Sequence, residues 1–260
     1  MNVENTKALL TGASGGIGRA IANRLAQGGA LLTLVGRNQE TLQDLNRSLP
    51  GKHRVLVADI TTQTGRAAVL EHARAQETAM LINAAGVMDF QFVEQQSSAC
   101  IEQMITTNML APVLLCHSLI PVLRQHEQAA IVNIGSIYGS IGHPGFSAYC
   151  ASKFGLRGFT EALQRELADS PIRVLYLAPR ATLTDLNTRA VDDLNKALGN
   201  SVDRPEQVAE ELMNVLARSR RQRFMGWPEN LFVRLNGLFP GLVHNALVRK
   251  LAIIRHHAQT

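Results

Sequence analysis

Short runs rich in leucine, valine and isoleucine alternate along this chain with longer stretches whose apolar residues recur every three or four positions. The runs Lys7–Thr11, Leu31–Val35, His53–Ala58, Ala79–Asn83, Ala130–Ile134, Arg173–Leu177 and, more weakly, Arg223–Met225 read as strands. Between them, Gly18–Gln27, Gln39–Ser48 and Thr62–Ala75 read as helices. The strand runs are continuously apolar rather than alternating, as expected when both faces of a sheet are covered. The pattern therefore predicts an α/β fold, a doubly wound parallel sheet with helices on both faces. No repeat, low-complexity tract or linker divides the chain, so residues 1–227 read as one body and 228–260 as a helical C-terminal extension of it.

Two regions break the alternation. Residues 179–203 follow a strand but hold no strand of their own and only a weak helical pattern. An excursion at that end of a doubly wound sheet is expected beside the ligand crevice. In the extension, Leu231, Leu235, Leu238, Leu242, Leu247, Leu251 and Ile254 repeat with basic residues interleaved, and Pro240-Gly241 is expected to split it into two helices. Such a hairpin covers the cleft, packs on another subunit or lies on an anionic membrane; the first two are the preferred readings.

Charge is placed unevenly. From Arg218 onward eight Arg/Lys face one acid, Glu229, so the net +5 divides into +7 there and −2 in residues 1–217. No basic or aromatic stripe forms a nucleic-acid module, and none is expected as a partner. Cys100, Cys116 and Cys150 lie in apolar segments without metal-ligand spacing, which reads as buried, reduced thiols and no metal site. Met1–Lys7 is polar, and no run approaches the ~18 consecutive apolar residues of a membrane span. A cytoplasmic location is expected.

Candidate chemistry begins at Gly12-Ala13-Ser14-Gly15-Gly16-Ile17-Gly18, which follows the first strand and opens a helix. Glycines there allow backbone N–H groups to approach a pyrophosphate at a helix N-terminus. The second strand ends in Gly36-Arg37-Asn38, without the acid that bonds a free ribose 2′-hydroxyl. Arg37 there suits a 2′-phosphate, which points to NADP(H); its other reading is a solvated surface arginine. Tyr149 and Lys153 stand four apart on a helix, where an ammonium should draw a phenol's pKa towards neutrality and fit it for acid/base work. Ser136 follows the fifth strand, placed to hold a substrate oxygen.

In order and spacing, Thr11-Gly-x-x-x-Gly16-x-Gly18, Asn83-Ala84-Ala85-Gly86, Ser136 and Tyr149-Cys-Ala-Ser-Lys153 resemble the motifs of the short-chain dehydrogenases/reductases, across roughly residues 5–225. The resemblance implies a Rossmann-like fold and hydride exchange between a nicotinamide and a carbonyl/alcohol pair. It implies that Lys153 also bonds the nicotinamide ribose and that Asn108 steadies a water relay to Lys153. Asp59, with Ile60, matches the family position at the adenine edge, although a helix N-cap would look the same. Asn38, Asn83, Ala84 and Gly86 join the expected cofactor contacts, as do Pro179, Thr182 and Thr184 from the loop that grips the nicotinamide amide. That loop departs from the family in carrying Arg180 where glycine is usual; the arginine is either strained or reaches into the site. The family also implies a homo-oligomer. A 3-oxoacyl-thioester reductase and a non-catalytic dinucleotide sensor are the rival functions.

Overall fold

The computed structural model describes residues 1–218 and 220–259. Seven strands form one parallel sheet: β1 (Lys7–Thr11), β2 (Leu31–Gly36), β3 (Arg54–Val57), β4 (Met80–Asn83), β5 (Ala129–Ile134), β6 (Ile172–Ala178) and β7 (Gln222–Phe224). Their order is β3-β2-β1-β4-β5-β6-β7, so the winding reverses between β1 and β4. At such a reversal the connections leave in opposite directions and open a crevice at the strands' C-terminal ends. Thr11 pairs with Asn83 and Asn83 with Asn133, which brings the turns after β1, β4 and β5 to one edge.

Eleven α-helices are described: α1 (Gly16–Gln27), α2 (Gln39–Ser48), α3 (Gln63–Ala75), α4 (Ser98–Ile105), α5 (Ala111–Leu123), α6 (Ser147–Glu166), α7 (Arg189–Leu198), α8 (Pro205–Ala217), α9 (Glu229–Leu238), α10 (Pro240–Val248) and α11 (Leu251–Ala258). Successive strand residues point to opposite faces. Leu10, Leu32 and Leu34 therefore pack with Ile21 and Leu25 of α1, Leu42 of α2 and Leu212 of α8, while Leu9, Leu81 and Ile131 meet Val69 of α3, Leu115 and Leu119 of α5 and Leu163 of α6. Each such side chain, fully buried, contributes about 1.5–3 kcal/mol.

The structure amends the sequence reading in four places. Asn108 lies in a π-helical turn, Thr106–Leu110, between α4 and α5. The excursion after β6 contains α7, capped by Thr188 at its start and closed by left-handed Gly199. The extension has three helices, because the chain turns again at Arg249-Lys250. Finally, Ser98–Leu123 is long and apolar enough to cross a membrane, although no uninterrupted apolar run shows it. Its Leu115, Leu119 and Leu123 are buried in the core on one sheet face.

Candidate active site

The turn after β1 is built into its surroundings. Gly12 has φ +65°, and a Cβ there would stand 2.5 Å from the Ala85 Cα; a Cβ at Gly18 would stand 2.0 Å from the Gly12 carbonyl oxygen. Thr11 Oγ1 accepts from the Ala84 N–H at 3.2 Å and ties the β1 and β4 turns together. Gly15, the N-cap of α1, offers no side-chain acceptor, so the helix presents its first N–H groups to the crevice. Ser14 sits in this turn, its carbonyl oxygen held by Arg19 Nε at 2.8 Å. Ile17 faces the cleft, and Thr184 packs over Gly16.

Arg37 stands exposed past β2 and makes no hydrogen bond or ion pair among the described residues. Asn38 caps α2, accepting from the Thr41 N–H at 3.0 Å. Asp59 is not the cap of α3; that is Thr62, which accepts from the Gly65 N–H. Asp59 instead accepts from the N–H and hydroxyl of Thr61, and these bonds, with a smaller contribution from Arg37, hold its carboxyl below the usual range. Ile60 beside it is buried. The Asn83 side chain turns into the core, donating to Asn133 Oδ1 at 2.8 Å, so only its backbone faces the crevice edge with Ala84 and Gly86.

Across the crevice, α6 carries Tyr149 and Lys153, both buried. Tyr149 and Ser136 both line the cleft, where Ser136 favours the ionised phenol, and Ser136 Oγ accepts from the Tyr138 N–H at 3.1 Å. Lys153 Nζ lies 5.7 Å from the Tyr149 ring centroid and donates to the Ile134 carbonyl at 3.1 Å. Asn108 donates to the Val87 carbonyl at 2.8 Å and Ser152 Oγ at 3.1 Å, while its Oδ1 accepts from the Val87 N–H. Both amide protons are taken, so Asn108 binds the turn after β4 to α6.

The expected effect of lysine on tyrosine is outweighed. Burial pushes the Tyr149 phenol up to about 12, partly offset by Ser136, and pushes Lys153 down to about 8. Desolvation disfavours the charged form of each. At neutral pH the phenol keeps its proton and can donate it.

Ser136 and Tyr149 open into a cleft of about 340 Å³, within the size range of small-molecule sites. Pro179, Thr182 and Thr184 line one wall, with Leu186, Val191 and Leu198 from the excursion. Phe232, Leu235, Leu242 and Leu247 of the extension line another, as the cleft-covering reading of the extension expected. Val233 and Val243 anchor α9 and α10 against Ile137 and Ile141, while Ile254 anchors α11 near Phe90 and Phe146. Arg180 is not in the left-handed region; the positive-φ residues other than glycine are Asn5 and Glu77 among those described. Its guanidinium, 17% exposed, pairs with Asp203 at 2.7 Å and Glu229 at 3.2 Å. It thus clamps the excursion and the extension to the end of β6.

Comparison with known proteins agrees with this geometry. A family model described as short chain dehydrogenase matches residues 6–195. The chain is 35% identical over 189 residues to carbonyl reductase family member 4 of Danio rerio, covering 72% of this chain and 79% of that protein. It is 34% identical over 199 residues to the 3-oxoacyl-acyl-carrier-protein reductase of Escherichia coli (strain K12), covering 76% and 81%. A solved short-chain dehydrogenase from Sphingobium yanoikuyae, in complex with NADPH, superposes with a TM-score of 0.77 at 29% identity, covering 92% of this chain and 95% of that one.

Proposed function

Because this chain belongs to the short-chain dehydrogenase/reductase family, an oxidoreductase family, we propose that it is an NADP(H)-dependent reductase of apolar carbonyl compounds. The observation that carries the proposal is the buried Tyr149 phenol, set with Ser136 in the lining of a cleft whose far walls are apolar, where burial favours its protonated form. The same set of groups weighs against a sensor without turnover, which needs no proton donor. A relative solved with NADPH supports the cofactor, as does the fit of this chain: the glycine cradle, the open α1 terminus and an unpaired Arg37 where a 2′-phosphate would lie. Gly12, Ser14, Gly16, Ile17 and Gly18 would hold the pyrophosphate side, Asp59 and Ile60 the adenine, and Pro179, Thr182 and Thr184 the nicotinamide. When bound, the nicotinamide supplies the hydride. Ser136 and Tyr149 orient the substrate oxygen, and Tyr149 gives it a proton as charge develops there. Lys153, behind the phenol, holds positive charge near it at neutral pH.

Relatives that are 3-oxoacyl-thioester reductases favour a second reading, in which the apolar cleft takes an acyl chain. One assay tests both. NADPH consumption is followed with methyl ketones and 3-oxoacyl thioesters of graded chain length, and with NADH in place of NADPH. Each methylene buried is worth about 0.8 kcal/mol, so kcat/KM should rise about fourfold per carbon until the cleft is full. NADPH should be preferred roughly 10- to 150-fold, a preference that Arg37→Ala removes. A flat chain-length series overturns the apolar substrate, turnover confined to thioesters selects the second reading, and equal use of NADH overturns the role of Arg37.

A further inference from the structure

The extension closes one wall of the cleft, yet most of its own surface is left uncovered. In α10 only Val243 is buried, with Leu247 partly so. Leu238 is 72% exposed, Phe239 58% and Leu242 63%, at and beside a 120° bend between α9 and α10. Neighbouring apolar side chains left this exposed at a bend are costly in water and mark a contact surface.

The charges that the extension itself exposes are of one sign. Arg234 on α9 and Arg249 and Lys250 after α10 are exposed, and Arg255 follows on α11. Glu229 is the only acid from residue 229 to the end, and Arg180 holds it. A second copy seated symmetrically on this patch would bring two basic surfaces together, because a two-fold contact pairs a surface with itself. An anionic, apolar partner has no such conflict. The patch adjoins the cleft: Phe232 and Leu242, both exposed, also line the cavity.

We propose that the α9–α10 bend docks on an anionic lipid surface, with Leu238 and Phe239 entering the acyl boundary and Arg234 and Arg249 resting on the headgroups. Helices of this composition bind by apolar burial together with attraction to anionic lipid. Resting on the apolar-substrate reading, the docked enzyme would receive a lipid-partitioned carbonyl compound at the cleft rim formed by Phe232 and Leu242.

The full-length protein is tested by co-sedimentation with phosphatidylcholine vesicles, with and without about a third phosphatidylglycerol. Binding is expected to the anionic vesicles, with release by salt as the surface charges are screened. The double variant Arg234→Gln/Arg249→Gln should bind about 30-fold more weakly. Leu238→Gln/Phe239→Gln should bind at least about tenfold more weakly, while reducing a short water-soluble ketone at the wild-type rate, because neither residue lines the cleft. That rate separates a failure of docking from a failure of the proposed function. No binding to anionic vesicles overturns the proposal, as does equal binding to phosphatidylcholine alone. So does a Leu238→Gln/Phe239→Gln protein that binds like wild type, or one that sediments as a smaller oligomer while the wild type ignores vesicles.

Discussion

Tyr149 and Lys153 hold opposite charges in reserve, and burial keeps both nearer neutrality than water would. The consequence for Lys153 is measurable. Its folded pKa of about 8 lies below the ordinary 10.5. Below pH 8 the lysine is protonated folded and unfolded, and the folded state bears the full cost of a buried ammonium. Between 8 and 10.5 the unfolded chain binds more protons, so stability rises with pH across that window. Relative to Lys153→Met, the wild type should gain about 2 kcal/mol between about pH 7 and pH 9.5, read as urea midpoints of both proteins. Parallel pH profiles would mean that the lysine is not desolvated. Residues of this kind were legible because Ser136, Tyr149 and Lys153 recur at fixed spacing among elements that periodicity places. Asn38, Asp59 and Asn83 were less so. A short polar side chain has the same letter whether it caps a helix, bonds inside the sheet or faces a ligand, and only coordinates show Asn38 capping α2 and Asn83 bonded to Asn133.

At the scale of elements, periodicity carried the reading where an element has several apolar residues to spend, as in β5, α1 and α3. It faded where the buried face is small. α7 buries Val191 and Leu194 between Asp192, Asp193 and Lys196, and α11 fully buries Ile254 alone. Such elements are held by tertiary contacts that no local pattern shows, just as the Arg180 pairs with Asp203 and Glu229 hold the end of the excursion and the start of α9. The departure from the usual glycine is therefore an added joint. Arg180→Met should free α9: amide exchange over residues 229–238 should speed up about tenfold, as expected for losing a charge-assisted bond. The KM for a long-chain ketone should rise more than that for a short one. Unchanged exchange in those residues would show that the valine anchors suffice without the arginine.

For the molecule as a whole, the sheet order puts the glycine turn after β1 on one side of the β1/β4 reversal and Ser136 and Tyr149 on the other. The C-terminal extension then adds an apolar wall to an otherwise familiar crevice. That architecture was legible because parallel strands buried on both faces have a recognisable composition. The wall was legible only as one of three alternatives, because nothing local in residues 228–260 says which surface they cover. In the proposed reaction Tyr149 protonates the carbonyl oxygen while the bound nicotinamide supplies the hydride. The most direct measurement is a pair of titrations on Tyr149→Phe, one of NADPH binding and one of turnover at saturating cofactor. The phenol carries the proton and the ring fills the same space, so NADPH affinity should stay near wild type while kcat falls by ~10²–10⁴-fold. A variant that binds NADPH normally and keeps more than about a tenth of wild-type kcat would contradict the account.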